Sequence, residues 1–119
     1  MKAKRKTKPK VAKIKNADYP LIGYEYEYIG QPVRIVRVCP SAACFNFIHI
    51  EFETRYSDRS ECNVGELSPW QDTSKPLTKN QATMVMVDIR NAIEDATNDS
   101  ERKLAQWQLR RLMKLAKAK

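Results

Sequence analysis

YEYEYIGQPVRIVRV, residues 24 to 38, is the stretch on which the fold turns. Tyr24, Tyr26 and Tyr28 alternate with Glu25 and Glu27, the period of two expected of a strand with one face turned inward. Gly30, Gln31 and Pro32 break the alternation, and VRIVRV at 33 to 38 resumes an extended pattern, so the stretch reads as a strand pair. Downstream, CPSAAC at 39 to 44 is a short loop of small residues. FNFIHIEF at 45 to 52 is a third strand, enriched in aromatic and β-branched side chains. Its two faces are Phe45, Phe47, His49, Glu51 and Asn46, Ile48, Ile50, Phe52. A polar turn around Tyr56 to Arg59 leads to ECNV at 61 to 64, a fourth short strand, and GELSPW at 65 to 70 closes the β region.

Short strands joined by polar turns imply a small antiparallel barrel. Residues 23 to 70 resemble SH3-like barrels of the KOW and Tudor kind. The likeness rests on a glycine-bounded hairpin, a long strand preceded by a loop, and a short strand ending in ELSPW. It is architectural, and implies a scaffold used for binding without specifying a ligand.

Asp72, Ser74 and Pro76 mark a polar linker, after which Thr78 and Gln81 have the spacing of a capping box. Ala82, Val85, Met86, Ile89, Ala92, Ile93 and Ala96 then fall on one helical face. Asn98 with Glu101 predicts a second cap, so a tight turn at Thr97 to Asp99 folds two helices into an antiparallel hairpin. On the second helix Ala105, Leu109, Leu112, Met113 and Ala116 form the apolar side, flanked by Leu104 and Leu115. The two apolar faces can meet each other, the barrel, or a second copy in a homodimer. The expected class is therefore α+β: a basic, disordered arm over 1–17, an SH3-like barrel over 18–72 and a helical hairpin over 77–119.

Charge is distributed unevenly along the 119 residues. Lys2, Lys4, Arg5, Lys6, Lys8, Lys10, Lys13 and Lys15 make the first 15 residues as positive as the whole chain, whose formal charge is +8. Residues 16 to 76 hold nine acids and five bases, residues 77 to 119 five acids and nine bases. Opposite the apolar side of the second helix lies a stripe of Lys103, Trp107, Arg110, Lys114 and Lys117, about 21 Å long at 1.5 Å per residue and free of acids. Cations release counterions from phosphates and an indole offers a stacking face, so the arm (Lys4, Arg5, Lys6, Lys8, Lys10, Lys13, Lys15) and the stripe are the candidate DNA- or RNA-binding residues. A solvated, lysine-rich helix face explains the stripe equally, leaving only Trp107 unaccounted for. The acidic middle would repel a phosphate backbone unless the fold exposes Arg34, Arg37, Arg55 and Arg59 together.

Other chemistry has thinner support. Cys39, Cys44, His49 and Cys62 offer a Cys₃His zinc set, but with no C-x-x-C pair and with His49 inside an alternating strand. Three cysteines without an export signal point to reduced thiols and a cytoplasmic setting. No apolar run is long enough to span a bilayer, and the arm lacks the groups that insert into one. Tyr24, Tyr26, Tyr28, Tyr56 and Trp70 could make an aromatic cage, although packing against the core or helices accounts for the strand tyrosines. His49 is the sole histidine, and no P-loop, dinucleotide fingerprint, HExxH or G-x-S-x-G occurs, so no enzyme and no cofactor are expected.

Two functions remain open. One is a non-catalytic nucleic-acid-associated regulator in which arm and helix hold phosphates and the barrel contacts a protein. The other is a protein-binding inhibitor or adaptor without direct nucleic-acid contact. Small basic chains of this kind resemble phage-encoded host-takeover and anti-defence regulators.

Overall fold

Ile29 and Gly30 form the two-residue turn between strands β1 (Glu25–Tyr28) and β2 (Gln31–Cys39), with Tyr28 opposite Gln31. Both turn residues take positive φ, 51° and 74°, the handedness that matches the twist of the flanking strands. The structure is a computed structural model, which describes residues 18–40 and 48–117, excluding the side chains of residues 116 and 117. The arm residues 1–17 and Cys44 therefore lie outside the described residues, as does the first part of the expected strand at 45 to 52.

β3 (His49–Thr54) pairs with β2 and with β4 (Arg59–Asn63); a 3₁₀ turn at Val64–Glu66 then leads to β5 (Ser68–Pro69), which returns beside β1. The result is a five-stranded antiparallel sheet of order β4-β3-β2-β1-β5, and it is open: β4 and β5 are its two edges. The strand expected at 61 to 64 starts two residues earlier and ends at Asn63, because Val64 turns into the 3₁₀ segment instead.

β2 carries a β-bulge. Ile35 lies opposite Phe52 and Arg37 opposite Glu51, so Val36 is an extra residue. The bulge turns an odd spacing into a common face: Val33, Ile35 and Val38 are buried, while Arg34 and Arg37 both lie on the other side, opposite Glu53 and Glu51. Ile48 just ahead of β3, Ile50 and Phe52 on β3 and Cys62 on β4 fill the core. Tyr24 is buried, and Tyr26 and Tyr28 pack against the same cluster, with the Tyr28 and Phe52 rings 5.0 Å apart. Tyr56 is instead 86% exposed, so these aromatic residues do not gather into a cage.

Two helices, α1 (Lys79–Asp95) and α2 (Asp99–Lys117), follow the sheet. At the start of α1, Gln81 N–H donates to Thr78 Oγ1 at 3.1 Å and Thr78 N–H to Gln81 Oε1 at 3.0 Å, closing the capping box. Glu101 N–H donates to Asn98 Oδ1 at 2.9 Å, which starts α2 after a three-residue connection. The start of α1 and the end of α2 line one groove, so the helices run antiparallel. Their buried residues join the strand residues in a single core, meeting both each other and the sheet. Gly23, at φ +89°, makes this contact possible: a Cβ there would sit 2.9 Å from Val85 Cα.

The phase of α2 corrects the sequence expectation. Its buried residues are Glu101, Leu104, Ala105, Gln108 and Leu112, whereas Met113 and Leu115 are 46% and 50% exposed. At 100° per residue the inward arc is turned by about 60° from the purely apolar one. Two polar side chains draw it round. Gln108 Oε1 accepts from Ile22 N–H at 2.8 Å, and its Nε2 donates to Pro20 O at 2.9 Å, clamping the segment before β1. Glu101 meets Arg37 of β2, and Thr97 donates to Glu101 Oε1 from its N–H and hydroxyl, both at 3.1 Å. Buried polar groups satisfied in this way cost little, so apolarity alone does not set the helical phase.

Candidate nucleic-acid interface

The face of α2 opposite its buried arc carries the basic stripe. Lys103, Arg110 and Lys114 are exposed and Trp107 is half-buried beside them. No ion pair among the described residues engages any of these three cations. The α2 sequence holds its only acids, Asp99 and Glu101, in the first turn, and both are already occupied: Asp99 by Arg102 at 2.7 Å, Glu101 by Arg37. Lys103 to Lys114 therefore present uncompensated positive charge over about 16 Å of helix. The side chain of Lys117 lies outside the described residues, as do Lys4, Arg5, Lys6, Lys8, Lys10, Lys13 and Lys15 of the arm.

Arginines of the sheet are placed differently. Arg34 meets Glu53 at 2.8 Å and Asp88 of α1 at 3.0 Å; Arg37 meets Glu51 at 2.8 Å as well as Glu101. Arg55 lies 3.8 Å from Glu25. The sheet thus spends Arg34 and Arg37 on fastening the helices, and they do not form the exposed basic patch with Arg55 and Arg59 considered from the sequence. Burial alone would raise the Glu101 carboxyl, but the Arg37 guanidinium and the Thr97 donors outweigh it and hold the group below its ordinary range. At Asp88 burial wins over Arg34 and the carboxyl is raised.

A groove of 570 Å³ runs between the linker at 73 to 78, the start of α1 and the C-terminal half of α2. Tyr24, Leu77, Ala82, Leu112 and Leu115 supply its apolar walls. Lys75, Lys79 and Arg111 are its charged residues, and no carboxylate lines it. The sequence reading missed this groove because it depends on Arg111 and Leu115 being brought opposite a linker more than thirty residues upstream.

Among the described residues, Cys39 and Cys62 of the Cys₃His set lie on opposite faces of the sheet, and Cys44 lies outside the described residues. Cys39 pairs with His49 in register on the charged face of the sheet, whereas Cys62 pairs with Ile50 and points into the core. Burial pushes the Cys39 and Cys62 thiols each up to about 11. One other group of metal-competent side chains converges among the described residues: ligand atoms of His49, Glu51 and Glu61 lie within 4.8 Å of one another. No helix among the described residues is long and apolar enough to cross a membrane. Comparison with protein-family models, curated proteins and solved structures found no match.

Proposed function

We propose that this chain is a non-catalytic, nucleic-acid-associated regulatory protein that holds the phosphate backbone with the basic face of α2, assisted by the Lys-rich residues at its start. The observation that carries the reading is the contrast in charge pairing. Arg34 and Arg37 of the sheet are each held by two carboxylates, while Lys103, Arg110 and Lys114 on α2 are exposed with none. Uncompensated cations in a row on a rigid helix are the arrangement that releases counterions from a polyanion, and Trp107 adds a ring beside them. In this reading the β region, a five-stranded antiparallel sheet, is the SH3-like platform that contacts a protein.

The test is fluorescence anisotropy of a labelled oligonucleotide against the full chain over a range of salt concentrations. Arg110→Glu with Lys114→Glu should weaken binding and lower the salt slope by about 1.8 on duplex DNA, two phosphate contacts at about 0.9 each. Both side chains are exposed, so Tm should stay nearly unchanged. Unaltered affinity in that variant would remove α2 from the interface.

The groove favours a second reading, an inhibitor or adaptor of a larger enzyme. Apolar walls with Lys75, Lys79 and Arg111 at their margins fit a partner-protein segment bearing an apolar anchor flanked by acidic residues. Co-purification before and after nuclease treatment separates the two: a protein partner retained after nuclease, with no oligonucleotide affinity, favours the second.

A further inference from the structure

The charged face of the sheet contains an arrangement that polyanion binding does not use. His49 and Glu51 are two residues apart on β3 and share its outer face, and Glu61 of β4 lies directly opposite Glu51 in the register. Carboxylates opposed across neighbouring strands repel one another, and such a pair is unfavourable unless a cation lies near both. Arg37 Nη1 donates at 2.8 Å to Glu51 Oε2, the same oxygen that faces His49, but no arginine or lysine pairs with Glu61 among the described residues. The group that Glu61 does meet is the imidazole: His49 Nε2 is 2.9 Å from Glu61 Oε1 and 3.6 Å from Glu51 Oε2.

We propose that His49, Glu51 and Glu61 form a binding site for a divalent transition-metal ion of the Zn²⁺ class. Bonds of about 2.0 to 2.1 Å in a tetrahedral site place ligand atoms about 3.3 Å apart, and the two nitrogen-to-oxygen separations straddle that value. One imidazole nitrogen with two carboxylate oxygens suits Zn²⁺ or its neighbours in the first transition row, and the imidazole disfavours Ca²⁺ and Mg²⁺. Half-buried His49 and exposed Glu61 leave the fourth position to water. Arg37 acts as a positioning residue, since it fixes Glu51 while itself being anchored by Glu101 of α2. Its positive charge also weakens the site, which places it in the class of exchangeable rather than permanently loaded metals. The zinc donors are thus one histidine and two carboxylates, and neither Cys39 nor Cys62 takes part.

The experiment is a titration of the full chain with ZnCl₂, following the ring signals of His49 by NMR. His49 is the sole histidine of the chain, so those signals are unambiguous. Saturable shifts at one equivalent are expected, together with a zinc-dependent rise in Tm. Glu61→Gln is the decisive variant: its side chain is 67% exposed, so the fold survives. Removing the like-charge pair should keep or raise Tm without metal, while zinc affinity falls at least about tenfold. CoCl₂ serves as the second probe, and an absorption spectrum without thiolate charge transfer is expected. Zinc-insensitive His49 signals, equal affinity in Glu61→Gln, or cobalt bound through thiolate would each overturn the assignment.

Discussion

Replacing Gln108 by Met tests whether a single buried amide fastens α2 to the segment leading into β1. The side chains are similar in volume, so the change removes two hydrogen bonds without opening a large cavity. Gln108 is 2% exposed, and its partners are the N–H of Ile22, itself 1% exposed, and the carbonyl of Pro20. Neither group is a side chain that can turn towards water. Each buried backbone group left without a partner costs about 1 to 3 kcal/mol, and the apolar gain from Met offsets part of the sum, for a net loss of about 3 kcal/mol. For a chain of this size that corresponds to a fall in Tm of about 10 °C. Urea denaturation gives the free energy, and hydrogen exchange at the Ile22 amide gives the location, with Gln106→Met on the half-exposed flank of the same helix as the control. Gln108→Glu adds a signature. The carboxylate can still accept from Ile22 but must be protonated to donate to Pro20 O, so its folded-state pKa is raised and the variant should recover stability as the pH falls through that value. A loss below about 1 kcal/mol in Gln108→Met, with Ile22 exchange unchanged, would refute the clamp.

Three further outcomes follow from the same geometry. Glu101→Gln should cost about 3 kcal/mol at pH 7, because it breaks the pair with Arg37 at a position 1% exposed. The Glu101 carboxyl is held below its ordinary 4.5, so its contribution is complete above that pH and lost on acidification through the folded-state value. Raised Asp88 opposes this by gaining a proton first in the folded state, so acid titration of wild type and Glu101→Gln by circular dichroism should show a shallower acid limb in the variant. Gly23→Ala should destabilise by at least about 2 kcal/mol in thermal melts, since φ +89° and the 2.9 Å approach to Val85 Cα both exclude a Cβ. Ile29→Asn should instead stabilise by about 1 kcal/mol in urea denaturation, because a β-branched residue at φ 51° is replaced by one that prefers that turn, and the 79% exposed side chain gives up little burial.

Much of the architecture could be read along the chain. The alternation from Tyr24, the break at Gly30 and the run of Ile48, Ile50 and Phe52 are local patterns with local causes, and they reappear as β1, the hairpin turn and β3. Thr78 with Gln81 and Asn98 with Glu101 likewise mark the helix starts, because a cap is satisfied within one turn. The β-bulge also left a trace, in the three-residue spacing of Arg34 and Arg37 within VRIVRV, which strict alternation cannot place on one face. A search for broken periodicity would have found it.

What the sequence determined by itself was the set of elements, their order and where cations are plentiful, since each depends on neighbours a few residues apart. Only the tertiary structure decided which charges are free and which are spent. Arg37 meets Glu101 across 64 residues, and Gln108 meets Ile22 across 86. These partners turn α2 by about 60° from its apolar phase, bury two polar side chains and leave Lys103, Arg110 and Lys114 outward. The reason is physical: a polar side chain is inward or outward according to whether a partner waits inside, and that partner comes from a distant part of the chain. Equally, His49 acquires Glu61 only when β4 pairs with β3. Residue identity supplies the donors, but convergence on one point belongs to the fold.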